Sequence, residues 1–151
     1  MKIDEIYMSE ALKEAGKAID EDEVPVGAVI VHNHKIIARA HNQTRILKDP
    51  TAHAEMVAIT QAASHLRSER LLDCSMYVTI EPCPMCAGAL VWARVKRLIY
   101  GAKDPKAGAC GSVVNIVHNK KLNHRISVKS DVAAKACGAL LSEFFKKKRK
   151  K

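Results

Sequence analysis

The sequence predicts an α/β fold in three layers (α-β-α), with helices on both faces of a central five-stranded mixed sheet. Three observations carry this. Residues 27–31 are a continuous apolar run, the pattern of a strand covered on both faces. Residues 36–41 follow the polar turn His32, Asn33, His34, Lys35 and can return antiparallel as a hairpin partner. Residues 75–80, rich in β-branched and aromatic side chains, are followed by a helical stretch and a second strand at 97–101. A strand–helix–strand unit of that kind brings its strands together in parallel. One antiparallel pair and one parallel pair make the sheet mixed.

The remaining elements fit around this frame. From Asp4 to Asp20 apolar residues recur at Met8, Ala11, Leu12, Ala15 and Ile19, a helical stripe with charge opposite it. Glu21, Asp22, Glu23 and Pro25 end that helix. His32, His34 and His41 read as solvated histidines, two of them in the turn. After the breaker Asp49-Pro50, residues 51–65 are helical with a stripe at Met56, Ile59 and Ala63. The helix from Cys83 to Arg94 joins the two parallel strands, and Trp92, the only tryptophan, is expected to pack from it. Residues 102–112 form the longest loop, glycine-containing and partly basic. It lacks the G-x-x-x-x-G-K-[ST] order of a triphosphate cradle. Ser112 is expected to cap a short helix running through His118, residues 119–123 to be polar linker, and residues 126–128 to be a short edge strand. Asp131 is the expected N-cap of a last helix that docks through Ala133, Cys137, Leu140, Leu141 and Phe144 before its end frays.

Chemistry concentrates in two segments. Cys83 and Cys86 stand three apart at a helix start, so both sulfurs fall on one face and can grip one ion. A structural zinc site needs four protein ligands, and the one obvious third ligand is His53, which leaves the fourth position for a water. Glu55, two residues on, is a carboxylate able to take a proton from that water. Two thiolates cancel the formal charge of zinc and weaken its acidifying effect, so a general base is required. Residues i and i+2 of a regular helix point about 200° apart, and the expected resolution is that His53 lies in a first turn that is not ideal. A site at the carboxyl end of a strand and the start of the next helix is where open α/β sheets hold ligands.

The pairing of His53-Ala54-Glu55 with Pro82-Cys83-Pro84-Met85-Cys86 resembles the zinc-dependent nucleoside and base deaminases. Residues 23–29, 49–55, 82–89 and 101–112, with the ending Leu141-Ser142-Glu143-Phe144-Phe145 and its basic tail, are similar to the bacterial tRNA-specific adenosine deaminases, over nearly the whole chain. That resemblance implies a cytidine-deaminase-like fold and a homodimer. It also implies Zn2+, one per subunit, on His53, Cys83 and Cys86, with Glu55 as catalytic proton shuttle. Asn42 would contact the flipped base, and the substrate would be the wobble adenosine of a tRNA anticodon stem-loop, attacked by water at C6 and protonated at N1. Lys103, Lys106 and Arg149 are candidate RNA contacts that read equally well as solvated surface. Two rival readings stand beside this one. Guanine and cytosine deaminases share the metal signature, and a non-catalytic zinc-stabilised RNA-binding module would share the metal, though it would have no use for Glu55.

Length and charge bound these readings. A chain of 151 residues with 48% apolar content suits one folded domain, taken as residues 1–145, followed by a basic C-terminal tail at 146–151. Six of the nine net positive charges sit in that tail, leaving three for the rest. Such a run attracts polyanions with little selectivity, and it is equally a solvated end that aids solubility. No apolar run reaches membrane length and residues 1–5 carry no signal-peptide core, so the protein is expected in the cytoplasm. Five cysteines without disulfide spacing agree with that, Cys74, Cys110 and Cys137 being expected as small buried apolar residues.

Overall fold

The computed structural model describes residues 2–149. Met1, and Lys150 and Lys151 of the basic run, lie outside the described residues. The chain runs α1 (Ile3–Asp20), β1 (Gly27–His32), β2 (Lys35–His41), α2 (Ala54–Leu66), β3 (Ser75–Ile80), α3 (Pro84–Trp92), β4 (Arg97–Ala102), β5 (Ser127–Lys129) and α4 (Ala134–Arg149). The sheet order is β2-β1-β3-β4-β5. β1 pairs antiparallel with both β2 and β3, whereas β3–β4 and β4–β5 are parallel. This is the three-layer mixed sheet expected from the sequence.

The turn between β1 and β2 places Asn33 and His34 at φ 50° and 62°, the mirror-image turn whose twist matches a hairpin. Val29, Val31, Tyr77 and Ile99 face one side of the sheet and pack with Met8, Ala11 and Cys137 under α1 and α4. Ala28, Ile30, Met76, Val78, Leu98 and Tyr100 face the other side, under Ala54, Ala58 and Ala62 of α2 and Ala87 and Leu90 of α3. Both faces are covered, so β1 is a continuous apolar run from Gly27 to Val31. At Gly27 a Cβ would run into the Ala11 carbonyl and Ala15 amide of α1, so glycine lets helix and strand touch. Among the described residues, no helix is long and apolar enough to cross a membrane.

Several local expectations are corrected. The buried line of α2 is Ala54, Ala58 and Ala62 with Glu55, while Met56, Ile59 and Ala63 are only half-buried. Ile19 of α1 is exposed, and its buried face includes Ala18, Asp4 and Glu14. Trp92 does not pack inward; it is 82% exposed. Residues 113–118 are irregular, with an isolated bridge from Asn115 to Cys110, and form no helix; the Ser112 hydroxyl is spent elsewhere, on the Glu81 carboxylate. Asp131 lies three residues before α4 at φ 62°, and its amide donates to the Gly101 carbonyl, so it is not the cap. Ala133 is exposed ahead of the helix. α4 runs unbroken through the basic residues 146–149 instead of fraying after Phe145, and Lys148 pairs with Asp22. His41 is not solvated either. Its Nε2 is 2.6 Å from Glu21 and its Nδ1 3.5 Å from Glu14. Cys74, Cys110 and Cys137 are buried as expected, and burial pushes their thiols up to about 11, about 12 and about 11.

Candidate active site

The sheet topology brings four chain segments to one edge. Because β1 runs antiparallel to β3, the start of β1 (Val26), the end of β2 (Asn42), the end of β3 (Ile80) and the end of β4 (Ala102) share the same end of the sheet. The Gly27 amide donates to Thr79 Oγ1 at 3.1 Å and the Glu81 amide to the Ala102 carbonyl at 2.8 Å, which ties this edge together. α2 and α3 both point their N-termini here, where unsatisfied N–H groups favour anions.

His53 is the residue before α2, with φ −69° and ψ 153°. It is therefore extended, outside the first turn where it was expected, and this removes the conflict with helical spacing. Its side chain is free of the helix direction that Glu55, one residue inside, obeys. Two turns hold it there: Asp49 accepts from the Thr51 amide and hydroxyl at 2.8 and 2.7 Å, and the His53 amide donates to the Thr51 carbonyl at 2.8 Å. Cys83 is likewise extended, φ −75° and ψ 173°, just before α3, with Pro84 as the first helical residue. Cys86 follows inside the helix.

His53 Nδ1 lies 3.6 Å from Cys83 Sγ and 3.4 Å from Cys86 Sγ, and the three ligand atoms fall within 4.8 Å of one another. One nitrogen and two sulfurs converging on a common point, with no fourth protein ligand among the described residues, are a donor set suited to an open zinc site. Hydrogen bonding from Cys86, aided by His53, holds the Cys83 thiol far below its ordinary value, at about 4, and the same contact keeps Cys86 high. The contact with Cys83 raises the His53 ring above its ordinary value. Glu55 is 3% exposed, and burial pushes its carboxyl up to about 7, with its own backbone N–H and the His53 ring working the other way.

These groups open into a cavity of about 660 Å³, a size usual for small-molecule pockets. Asn42 is 7% exposed on its wall, its amide donating to the Val26 carbonyl at 3.1 Å. Val26, Thr44 and Ile80 complete that side. Asp104, Lys106 and Ala107 of the 103–112 loop form another, and Leu141, Phe145 and Arg149 bring α4 to the mouth. His53, Glu55, Cys83 and Asn42 thus all meet at one cavity, with Cys86 behind them; Lys106 and Arg149 reach the rim. Lys103 does not line the cavity; it lies 3.8 Å from Asp131.

Sequence reading missed two buried carboxylates that build the walls. Glu23, fully buried, accepts the amides of Arg45 and Ile46 at 3.0 and 2.8 Å and so holds the turn after Asn42. Glu81, 1% exposed, accepts from the 103–112 loop. Burial opposes its charge, but the hydrogen bonds from Ser112, Asp104 and Cys110 outweigh that and hold its carboxyl below the usual range. The available signal was an ionisable residue abutting an apolar strand with no cation nearby in sequence. Phe145 was likewise taken for part of an ending and not for a pocket residue.

The model of the MafB19-like deaminase family matches residues 3–149. A tRNA-specific adenosine deaminase of Bacillus subtilis is 49% identical over 151 residues, all of this chain and 94% of the relative. A solved structure from work on A-to-I editing by tRNA:A34 deaminases at the wobble position of transfer RNA is 46% identical and superimposes with a TM-score of 0.87, covering 90% of this chain and 99% of that one. A guanine deaminase from Nitrosomonas europaea superimposes with a TM-score of 0.78 at 25% identity, over 95% of this chain and 85% of that one. The base deaminase thus shares the fold at a lower identity, while the tRNA deaminases match nearly end to end at almost half their residues; the chain belongs to the deaminases, within the family of the tRNA-specific adenosine deaminases.

Proposed function

We propose that this chain hydrolyses adenosine to inosine at the wobble position of a tRNA anticodon stem-loop, with one Zn2+ per subunit held by His53, Cys83 and Cys86. The carrying observation is the buried Glu55 carboxylate beside a three-ligand cluster, at the base of a cavity whose mouth bears an aromatic ring and a guanidinium. Zinc, when bound, supplies a Lewis acid that lowers the pKa of the attacking water. Glu55 takes a proton from that water as it attacks C6, delivers it to adenine N1 and assists departure of ammonia. Asn42, anchored by its backbone on the pocket wall, offers an amide donor and acceptor to the base edge. Phe145, 42% exposed, gives a stacking face for an unpaired base next to the target, and Arg149 a partner for phosphate. A free base needs neither.

We assign residues 1–145 to a single catalytic domain and 146–151 to a basic segment that adds phosphate affinity, and we place the protein in the cytoplasm, whose reducing conditions suit five free cysteines. Trp92 supports a homodimer. This ring is 82% exposed beside a groove of about 220 Å³ lined by Val91 and Leu122, and a second copy would cover it. Light scattering reads the mass directly, and an active monomer would contradict the dimer.

The deciding experiment offers zinc-loaded protein an anticodon stem-loop with wobble adenosine, alongside guanine, cytosine and free adenosine, and measures inosine and ammonia. Inosine confined to the RNA is expected. Rapid loss of guanine with untouched RNA would overturn the substrate while keeping the chemistry.

A further inference from the structure

Glu81 belongs to neither the metal cluster nor the proton path, yet its carboxylate accepts four hydrogen bonds beside the site. Its Oε1 accepts the Asp104 amide at 3.1 Å and its Oε2 the amides of Cys110 and Ser112 at 2.9 and 3.1 Å, while the Ser112 hydroxyl donates to Oε1. A carboxylate accepts all four; an amide of the same shape would turn an N–H2 toward N–H donors. The fit is also tight in space. A Cβ at Gly108 would strike the Glu81 carboxylate and the Asp104 carbonyl, and the Ala109 amide donates to the Pro82 carbonyl at 2.8 Å.

The anchored segment is the cavity wall. Asp104, Lys106 and Ala107 line the pocket, and the Asp104 side chain in turn accepts the Lys106 and Ala107 amides at 3.0 and 3.1 Å. The His53, Cys83 and Cys86 cluster and Glu55 reach the site from α2, α3 and the residues just before them, none of them through this loop. We infer that Glu81 is a positioning residue that clamps the 103–112 loop in the geometry that receives the RNA, so that it governs substrate binding and not the chemical step; this rests on the RNA-editing reading above.

Three variants test it with four readouts: kcat, KM for the stem-loop, zinc per chain, and the rate of tryptic cleavage of the native protein after Lys106. In Glu81→Gln the KM is expected to rise roughly tenfold or more, as for loss of a charge-assisted hydrogen bond, with kcat within about threefold of wild type. Zinc stays bound and cleavage after Lys106 accelerates. Because Glu81 lies close to Cys83, Ser112→Ala and Gly108→Ala probe the same clamp from the loop side. Both should move KM and Lys106 cleavage in the same direction, Ser112→Ala by the smaller amount. Unchanged KM and cleavage in the two loop variants, or a loss confined to kcat or zinc in Glu81→Gln, overturns the inference. Should the wild type leave RNA adenosine untouched, the editing reading fails, while the protease readout still decides whether the clamp exists.

Discussion

Asp4 and Glu55 are carboxylates buried on opposite sides of one sheet, near opposite ends of its parallel strands, and the protein treats them in opposite ways. Asp4, 6% exposed, accepts the Tyr77 hydroxyl at 2.6 Å and sits 3.1 Å from both Arg97 and Lys129. Burial works against its charge, but the tyrosine and the two cations win and hold it down at about 2. Glu55, 3% exposed, has no Lys or Arg partner among the described residues, and burial carries it up to about 7. A carboxylate given such partners loses its proton, whereas one buried without them stays near the point where it gains or loses one. Burial by itself would have made the two look alike.

The sharpest break of this contrast is Glu55→Ala. Turnover should fall by about a thousandfold or more, consistent with loss of a general acid–base group, while zinc measured by mass spectrometry stays at one per chain. Normal turnover by that variant would sink the assignment. Removing the metal is next: chelation should abolish activity and added Zn2+ restore it, and His53→Ala or Cys86→Ala should lose zinc and activity together. Retained zinc in Cys86→Ala would show that the ligand set is wrong.

Asp4 should behave the other way. Asp4→Asn is expected to cost about 1–3 kcal/mol in urea unfolding, since it strands Arg97 and Lys129, and to leave kcat per folded molecule unchanged. Its folded value, about 2, lies below the ordinary 3.8. Its contribution is therefore fully present above about pH 4 and lost as pH falls toward 2. That contribution is roughly 1–2 kcal/mol after discounting the solvent exposure of both cations. Wild type should lose more stability over this window than Asp4→Asn, and parallel curves would remove Asp4 from the acid response. The smallest effect is at Lys148→Ala, whose partner Asp22 is exposed; its urea midpoint is expected to match that of wild type.

The residues that converge at the candidate site were legible because their chemistry is written locally. His53-Ala54-Glu55 and Cys83-Pro84-Met85-Cys86 each hold their spacing within a few residues, and a breaker or proline beside each marks a helix start. The strands were legible for a similar reason, since both-sided burial demands an unbroken apolar run such as residues 27–31, and β-branched and aromatic content marks residues 75–80. Trp92 was misread because an aromatic residue on an apolar helix looks the same in sequence whether it faces the core or solvent.

The sequence alone pointed to the residues able to bind zinc and to move a proton, and to one antiparallel and one parallel strand pair. Each of these is read from the residue types within a short stretch of chain. Tertiary structure alone decided that His53 stands outside its helix, that α4 closes the cavity with Phe145 and Arg149, and that Glu81 holds a loop whose donors lie 23 to 31 residues away. Those arrangements depend on which segments the sheet order brings to one edge, and no local pattern of polarity or propensity encodes that order.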